Sequence, residues 1–460
     1  MIDKNSDGVA DNKCTNQETS TISYIDGYFA DYSVDISYEQ LTSYFSNFDV
    51  FETGVIQKLT SDQIGDMIVQ ENVYESEEKV TKVFEYLQTQ TIEIVDAVMT
   101  RFSNTSFSKN IQIENAAAGE KILEYYLNII KTEITTYTTT DITLLFEIKI
   151  RILVKFFCQV TLSWFSVETC DINSAIVEHL NKAFSEMSDS TRTAIANWIL
   201  SNLKSSKLNG CTSDSTTTTE WVVNTMKDFF QYTTLKDVIQ INPQFDVLEV
   251  IRWTSLSQKV EYLCDFNALT NRNVTITVLE SLGGEDNVIS AQEVVTFLTE
   301  FNAVYEKLNV KTMTTEVQQD GMTYLFDIYI SDDSLTEEQI SYFQESFTYF
   351  VAGITSESVK KIPNNVNCDS YKSLFGGISS AYDYLSDNVR ESVFNQIINY
   401  LDFQDSSSSD VCSSLYTDSR SYIQIIFQRF ASEATIYEFE KYYSTFDSYS
   451  CLDVFTGTQL

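Results

Sequence analysis

The N-terminal segment carries oxygen-bearing side chains at alternating positions, as a calcium-binding loop does. These residues are Asp3, Asn5, Asp7 and Asp11. Gly8 stands where such a loop turns sharply, but Cys14 occupies the position of the bidentate glutamate that completes calcium coordination. Residues 1–13 are therefore interpreted as an acidic, calcium-loop-like leader, and calcium is the one cofactor that the sequence suggests. A solvated acidic terminus without a metal is the alternative.

Cysteines provide a second kind of chemistry. Among the eight, Cys170 with Cys211 and Cys368 with Cys412 recur as two pairs of similar spacing. Each pair brackets two predicted helices, so a disulfide within it would close a helical hairpin. Buried free thiols are the alternative, but the repetition of the pair favours disulfides and an oxidising compartment. The pairing of four cysteines stays open: Cys14, Cys158, Cys264 and Cys451.

Two N-glycosylation sequons, at Asn104 and Asn273, agree with a secreted protein. Candidates for catalysis are few, because His179 is the only histidine. Without it no Ser-His-Asp or Cys-His arrangement can form. We expect His179 to lie on a helix surface, and Gly377 takes the matching place further along the chain. The sequence therefore predicts no enzyme and no catalytic residue.

The charge excludes several classes of partner. A formal net charge of −36 over 460 residues disfavours contact with nucleic acid, which needs a basic face. It also disfavours docking on anionic lipid. The most apolar stretch begins at Asp141 and contains Glu147, Lys149, Arg151 and Lys155. It is predicted to be one buried helix rather than a membrane span, and no stretch is apolar enough to span a bilayer. The polar N-terminus does not have the pattern of a signal peptide.

The elements that would position these residues recur along the chain. Cys14, Cys211 and Cys412 are 197 and 201 residues apart, and the same offsets align Tyr24, Trp221 and Tyr422. A second block begins at Cys170 and again, 198 residues later, at Cys368. The chain is therefore interpreted as a tandem array: a leader 1–13, one repeat over 14–210, a second over 211–411, and a truncated third over 412–460.

Within a repeat the apolar residues have a helical period. Leu235, Val238, Ile241 and Phe245 step by three and four residues. Ser188 and Ser386 stand where helix N-caps belong. Only 2 Pro and 13 Gly interrupt the chain. Short amphipathic helices of this kind must stack on their neighbours. The predicted fold is all-α, a right-handed superhelix or solenoid with tandem units of about 200 residues.

One segment resembles a known family. "EWVVNTMKDFFQYTTLKDVIQINPQFDVLEVIRWTSLSQKVEYL", from Glu220, resembles the repeat of mesothelin, stereocilin and otoancorin, and the segment from Tyr38 repeats it. The likeness lies in an aromatic-led helix followed by a helix and turn. It implies an armadillo-like helical superhelix, an extracellular location, and a role in adhesion or in a matrix. This chain departs from the family in being poor in Pro and Leu.

These observations predict a secreted structural or adhesive protein of an extracellular matrix, coat or filament. Its partners are expected to be proteins or glycans, and its unstacked terminal helices predict head-to-tail self-association. An intracellular armadillo-like scaffold for basic peptides is one alternative. A secreted carrier holding a small apolar ligand between helices is another. An enzyme that depends on His179 ranks below both.

Overall fold

Helices are the only regular secondary structure in the residues that the computed structural model describes. These residues are 20–45, 47–205, 208, 211, 217–283, 288–309, 311–331, 340, 342–407, 412 and 416–455. They contain α-helices, 3-10 turns and π-helical turns but no strand. The predicted all-α class is confirmed. The chain divides into two compact units, Met1–Phe245 and Asp246–Leu460.

The first unit is built from short helices that 3-10 or π turns connect. Its α-helices are α1 Thr21–Tyr28, α2 Tyr38–Ser43, α3 Ser61–Gln70, α4 Glu77–Leu87, α5 Ile92–Ser108, α6 Ala116–Ile134, α7 Thr139–Leu144, α8 Gln159–Leu162, α9 Cys170–Lys182, α10 Asp189–Leu203, α11 Thr218–Thr225 and α12 Leu235–Ile241. Most begin at a Ser, Thr or Asn whose side chain accepts a hydrogen bond from a backbone N–H of the first turn.

The second unit follows the same plan. Its α-helices are α13 Leu256–Asp265, α14 Arg272–Glu280, α15 Ala291–Tyr305, α16 Thr315–Ser331, α17 Phe343–Ser346, α18 Ser356–Lys360, α19 Cys368–Ser380, α20 Asp387–Ser407, α21 Ser419–Tyr422 and α22 Ile436–Tyr442. The two compact units do not coincide with the sequence repeats, since their boundary lies within the second repeat, 211–411.

Helices pack mainly on elements that lie close to them in the chain. In the first unit α3 packs on α5, α4 on α6 and α7 on α9. In the second, α13 packs on α15, α14 on α16, α17 on α19 and α18 on α20. Packing between near neighbours is typical of helical repeat proteins, in which each element buries its apolar face on the next. The right-handed superhelical path stays a prediction.

The order of elements recurs between the two repeats, including parts of the repeat where few residues are identical. α3 and α13 both begin with a capping box, formed by Thr60 and Gln63 in one and by Ser255 and Gln258 in the other. Each helix is followed by an asparagine in the left-handed region, Asn72 with φ 49° and Asn267 with φ 57°. Asparagine tolerates this conformation better than most residues, so both repeats use the same turn chemistry.

An arginine shared by the two repeats makes the same contacts in both. The Arg192 guanidinium lies 4.6 Å from the ring centre of Phe184, and its Nε donates to the Phe184 carbonyl at 3.0 Å. Arg390 makes the equivalent contacts with Tyr382, at 4.5 Å and 3.2 Å. Each arginine therefore ties the first turn of a helix, α10 or α20, to the 3-10 turn before it. This contact explains structurally why the same residue type occupies both positions.

One buried charge distinguishes the repeats. Lys259 in α13 is 5% exposed, and its Nζ donates to the Thr254 carbonyl at 2.6 Å. Burial lowers its pKa to about 8. In the first repeat the matching place, counted from the capping boxes, holds Ile64, which is buried and apolar. Lys259 thus places a cation where the repeat otherwise buries a hydrocarbon side chain.

Replacing Lys259 with methionine is expected to stabilise the protein by about 1–2 kcal/mol at pH 7, after allowing for the lost bond to Thr254. The pKa is depressed in the folded state, so the unfolded chain binds more protons between about pH 8 and pH 10.5. The native lysine is therefore least favourable below pH 8. The advantage of Lys259→Met should shrink as the pH rises through this window. Urea unfolding at pH 7 and pH 10 measures it, and a pH-independent difference would contradict the assignment.

Candidate functional site: disulfide-closed hairpins and a charged cleft

Two disulfides close helical hairpins at the same place in each repeat. Cys170, the first residue of α9, bonds Cys211, which follows α10, with 5.5 Å between the Cα atoms. Cys368, the first residue of α19, bonds Cys412, which follows α20, with 5.3 Å between the Cα atoms. These are the pairings that the repeat pattern predicts. Both Cα separations lie in the ordinary range for disulfides.

The remaining cysteines of the described residues are free thiols. Cys264 and Cys451 are buried, and Cys158 is partly exposed. Burial, with a contribution from the charge of Asp265, raises the pKa of the Cys264 thiol to about 12. This thiol is therefore protonated and unreactive at neutral pH. Cys14 lies outside the described residues.

The sequence predicts one buried helix for the stretch that begins at Asp141, and this prediction is wrong. The stretch is divided into several short elements, and these line a cleft. It breaks into α7, a π-helical turn Leu145–Lys149, a 3-10 turn Val154–Phe156 and the short α8. π turns occur frequently at functional sites. Polar and charged side chains alternate with apolar side chains along this stretch. Because the helix is interrupted, side chains of both kinds line the cleft.

The cleft has a volume of about 570 Å³ and lies within the first unit. It is bounded by the end of α5, residues 110–113, the π turn, residues 151–155 and the end of α9. Asn110 adopts a left-handed conformation, φ 53°, and redirects the chain after α5. The apolar lining of the cleft includes Phe107, Ile111, Ile113, Phe146, Ile148, Ile152 and Val154. The charged lining of the cleft includes Glu147, Arg151, Lys155, Lys182 and Glu186.

His179 lies in the wall of this cleft and is 7% exposed, so the expectation of a helix-surface histidine is wrong. Its ring stacks on Phe146 with 5.5 Å between centroids. Its Nε2 lies 3.2 Å from Thr143 Oγ1, and that hydroxyl donates to the Thr139 carbonyl. The Thr143 oxygen can therefore accept a hydrogen bond from the imidazole when Nε2 carries the proton. Because the hydroxyl proton is held by a backbone carbonyl, this contact does not activate Thr143 as a nucleophile.

The protonation of His179 depends on its surroundings. Burial, and next the charge of Lys182, lower its pKa, while Glu147 and Glu178 oppose the shift. The pKa therefore lies below the usual value of 6.5, and the ring is mainly neutral at pH 7. His179 fills space between α9 and the π turn and adds little charge to the cleft.

The cationic side chains of the cleft differ in how they are paired. Lys182 Nζ lies 2.8 Å from Glu147, and this contact lowers the pKa of the Glu147 carboxyl. Lys155 lies 3.8 Å from Glu186. The Arg151 guanidinium stacks on the exposed ring of Phe107, 3.4 Å from its centroid. Arg151 Nε is buried and has no hydrogen-bond partner among the described residues.

The second repeat does not carry this set of charges. The two repeats are aligned by their 3-10 turns, Val154–Phe156 and Val351–Gly353, and by their cysteines. In this alignment the second repeat has Gln344 for Glu147, Thr348 for Arg151, Ala352 for Lys155, Gly377 for His179 and Ser380 for Lys182. Phe146 is matched by Phe343. A Cβ added to Gly377 would lie 2.9 Å from the Phe343 ring. Where the first repeat inserts an imidazole, the second packs its helices without a side chain.

The predicted glycosylation sites lie within the described residues, whereas the predicted calcium site does not. Asn104 on α5 and Asn273 on α14 are both exposed, although the hydroxyl residues of their sequons, Ser106 and Thr275, are buried. The calcium-loop residues Asp3, Asn5, Asp7 and Asp11 lie outside the described residues. Within the described part of the chain no group of three or more His, Cys, Asp or Glu side chains is arranged to hold a metal ion. No helix there has the length and apolar character needed to cross a bilayer.

Comparison with known proteins gives no relative. No family model matches the chain, and no curated protein or solved structure matches it significantly. The resemblance to the mesothelin, stereocilin and otoancorin repeat therefore stays a prediction from the sequence.

Proposed function

We propose that the chain is a secreted helical repeat protein with a structural or adhesive role in an extracellular matrix, coat or filament. The observation that carries the proposal is the pair of disulfides at equivalent places in successive repeats. Disulfides persist in oxidising compartments and are rare in the cytosol. A disulfide-closed hairpin in each of the two long repeats would stabilise the fold of a protein that has a structural role outside the cell.

The surface supports a role in contact with other molecules. Three tyrosines of the second unit, Tyr384, Tyr437 and Tyr449, are 72–84% exposed. Tyrosine is enriched at protein interfaces because its ring supplies apolar area and its hydroxyl supplies a hydrogen bond. The net charge of −36 keeps such a protein soluble and disfavours anionic partners. We propose proteins, neutral or basic glycans, and further copies of the chain as partners.

Intact mass spectrometry of protein from its native source tests the location. Alkylation before and after reduction should show at least two disulfides, and treatment with a glycosidase should remove mass at Asn104 or Asn273. Asn104→Gln and Asn273→Gln assign the glycans and leave both disulfides in place. Eight free thiols and a bare mass in protein from its native source would overturn the secreted assignment and favour the intracellular scaffold.

Self-association has a separate test. Sedimentation velocity over a concentration series should show the chain forming larger species as its concentration rises. The triple variant Tyr384→Ser, Tyr437→Ser and Tyr449→Ser should weaken this association, while the single variant Tyr342→Ser serves as a control at another exposed tyrosine. A strict monomer at the highest concentration would overturn the proposed self-association.

A further inference from the structure

We propose that the cleft of the first repeat binds an amphipathic carboxylate, with the carboxylate at Arg151 and an aliphatic or aromatic body along the apolar wall. This site goes beyond a structural or adhesive role and does not depend on it. Four observations carry it: the charge of the cleft, the state of Arg151, the composition of its wall, and the contrast with the second repeat.

The charge of the cleft opposes that of the whole chain. Three cations line it, Arg151, Lys155 and Lys182, against two carboxylates, Glu147 and Glu186. In a chain of net charge −36, a concave site with an excess of cations attracts an anion locally. The excess is one charge, because the neighbouring His179 is mainly neutral at pH 7. It matches a monoanion better than a phosphate or a polyanion.

Arg151 supplies the polar end of the site. Its guanidinium carbon lies 3.4 Å from the centroid of the Phe107 ring, a cation–π contact that places the side chain without using its N–H donors. Its Nε is buried without a partner among the described residues, so a ligand in the cleft would meet the terminal nitrogens of the guanidinium. A carboxylate can accept two parallel hydrogen bonds from the guanidinium.

The rest of the wall suits an apolar body. Phe107, Ile111, Ile113, Ile148 and Ile152 line the cleft beside the charged groups. A volume of about 570 Å³ lies within the range of small-molecule sites. Apolar residues make up about half of the lining of the cleft, and polar or charged residues make up the other half. The ligand class is therefore a carboxylate that carries a hydrocarbon or ring system.

The second repeat indicates that these charges do not serve the fold alone. It keeps Phe343 where the first has Phe146 but replaces the three cations with Thr348, Ala352 and Ser380. A repeat of the same helical order thus folds without them. The charges of the first repeat are an addition to the common architecture, as expected for a binding site.

Isothermal titration of the full chain with sodium dodecanoate, below its micellar concentration, tests the site. We expect saturable binding with one site per chain. Dodecanol and dodecyltrimethylammonium, which keep the chain length and change the head group, should bind at least tenfold more weakly. Absence of saturable dodecanoate binding overturns the proposal. Equal binding of dodecanol also overturns it, because the cleft would then select hydrocarbon and not an anion.

Variants place the ligand in the cleft. Arg151→Gln and Lys155→Ala should each weaken dodecanoate binding about tenfold or more and leave the affinity for dodecanol unchanged. Lys131→Gln removes the same charge from the exposed face of α6 and should change neither affinity by more than about twofold. Thermal unfolding of every variant separates loss of the site from loss of the fold. If folded Arg151→Gln binds dodecanoate as well as the native chain, the site is not this cleft.

Discussion

Replacing Cys170 and Cys211 together with serine is expected to lower the free energy of unfolding by about 3–4 kcal/mol. The bond joins residues 41 apart, and in the chain-entropy model it stabilises the protein by restricting the unfolded chain. Cys368→Ser with Cys412→Ser should have a similar effect, because its loop joins residues 44 apart. Urea unfolding followed by circular dichroism measures both.

The control for this experiment is Cys158→Ser. Cys158 is a free, partly exposed thiol at the N-cap of α8, where serine is a favoured residue. The change should therefore alter stability by less than about 1 kcal/mol. Reduction of the native protein should reproduce the loss seen in the serine pairs. If reduction and the double substitutions cost no more than Cys158→Ser, the disulfides do not stabilise the fold as described.

Trp221→Ala is expected to destabilise the protein by about 3–5 kcal/mol. The Trp221 side chain is 0% exposed, and its ring meets Phe245 edge-on with 5.6 Å between centroids. Truncation removes the largest fully buried side chain of α11 and leaves a cavity that its neighbours can fill only in part. The same urea titration gives the magnitude.

Two matched variants make this prediction specific. Trp253→Ala removes the same side chain at a position that is 38% exposed, and we expect a loss of about 1 kcal/mol. Trp221→Tyr introduces the residue that occupies the matching buried places Tyr24 and Tyr422, so its cost should fall well below that of the alanine variant. Equal losses for Trp221→Ala and Trp253→Ala would show that burial of Trp221 does not stabilise the fold in the way proposed.

The sequence predicts the features of this fold that depend on local chemistry. Helical spacing places the elements, and Ser188 caps α10 by accepting from the Thr191 N–H, as its position indicates. The recurrence of Cys170 and Cys368 at the head of similar blocks indicates which cysteines pair. Each of these signals is contained in a few neighbouring residues or in the comparison of one repeat with the other.

The features that the sequence does not predict depend on distant contacts. The apolar stretch from Asp141 has the composition of one long helix, and its π turn at Leu145–Lys149 forms in a fold that packs α7 against α9. His179 has the pattern of a surface residue within its helix, but the Phe146 ring covers it. A signal for the cleft exists in the chain: Arg151 and Lys155 are lost from an otherwise similar second repeat. Comparing the charges of the two repeats would have found it.

The disulfide-closed hairpins also determine how the protein responds to mechanical tension. When a chain is pulled from its ends, each unfolded residue contributes about 3.3–3.6 Å of length. The residues between Cys170 and Cys211 cannot contribute, because the bond carries the load across a Cα separation of 5.5 Å. Each closed hairpin therefore withholds on the order of 130–150 Å of extension. A protein of this construction lengthens less under load than its number of residues implies, and reduction would release the withheld length.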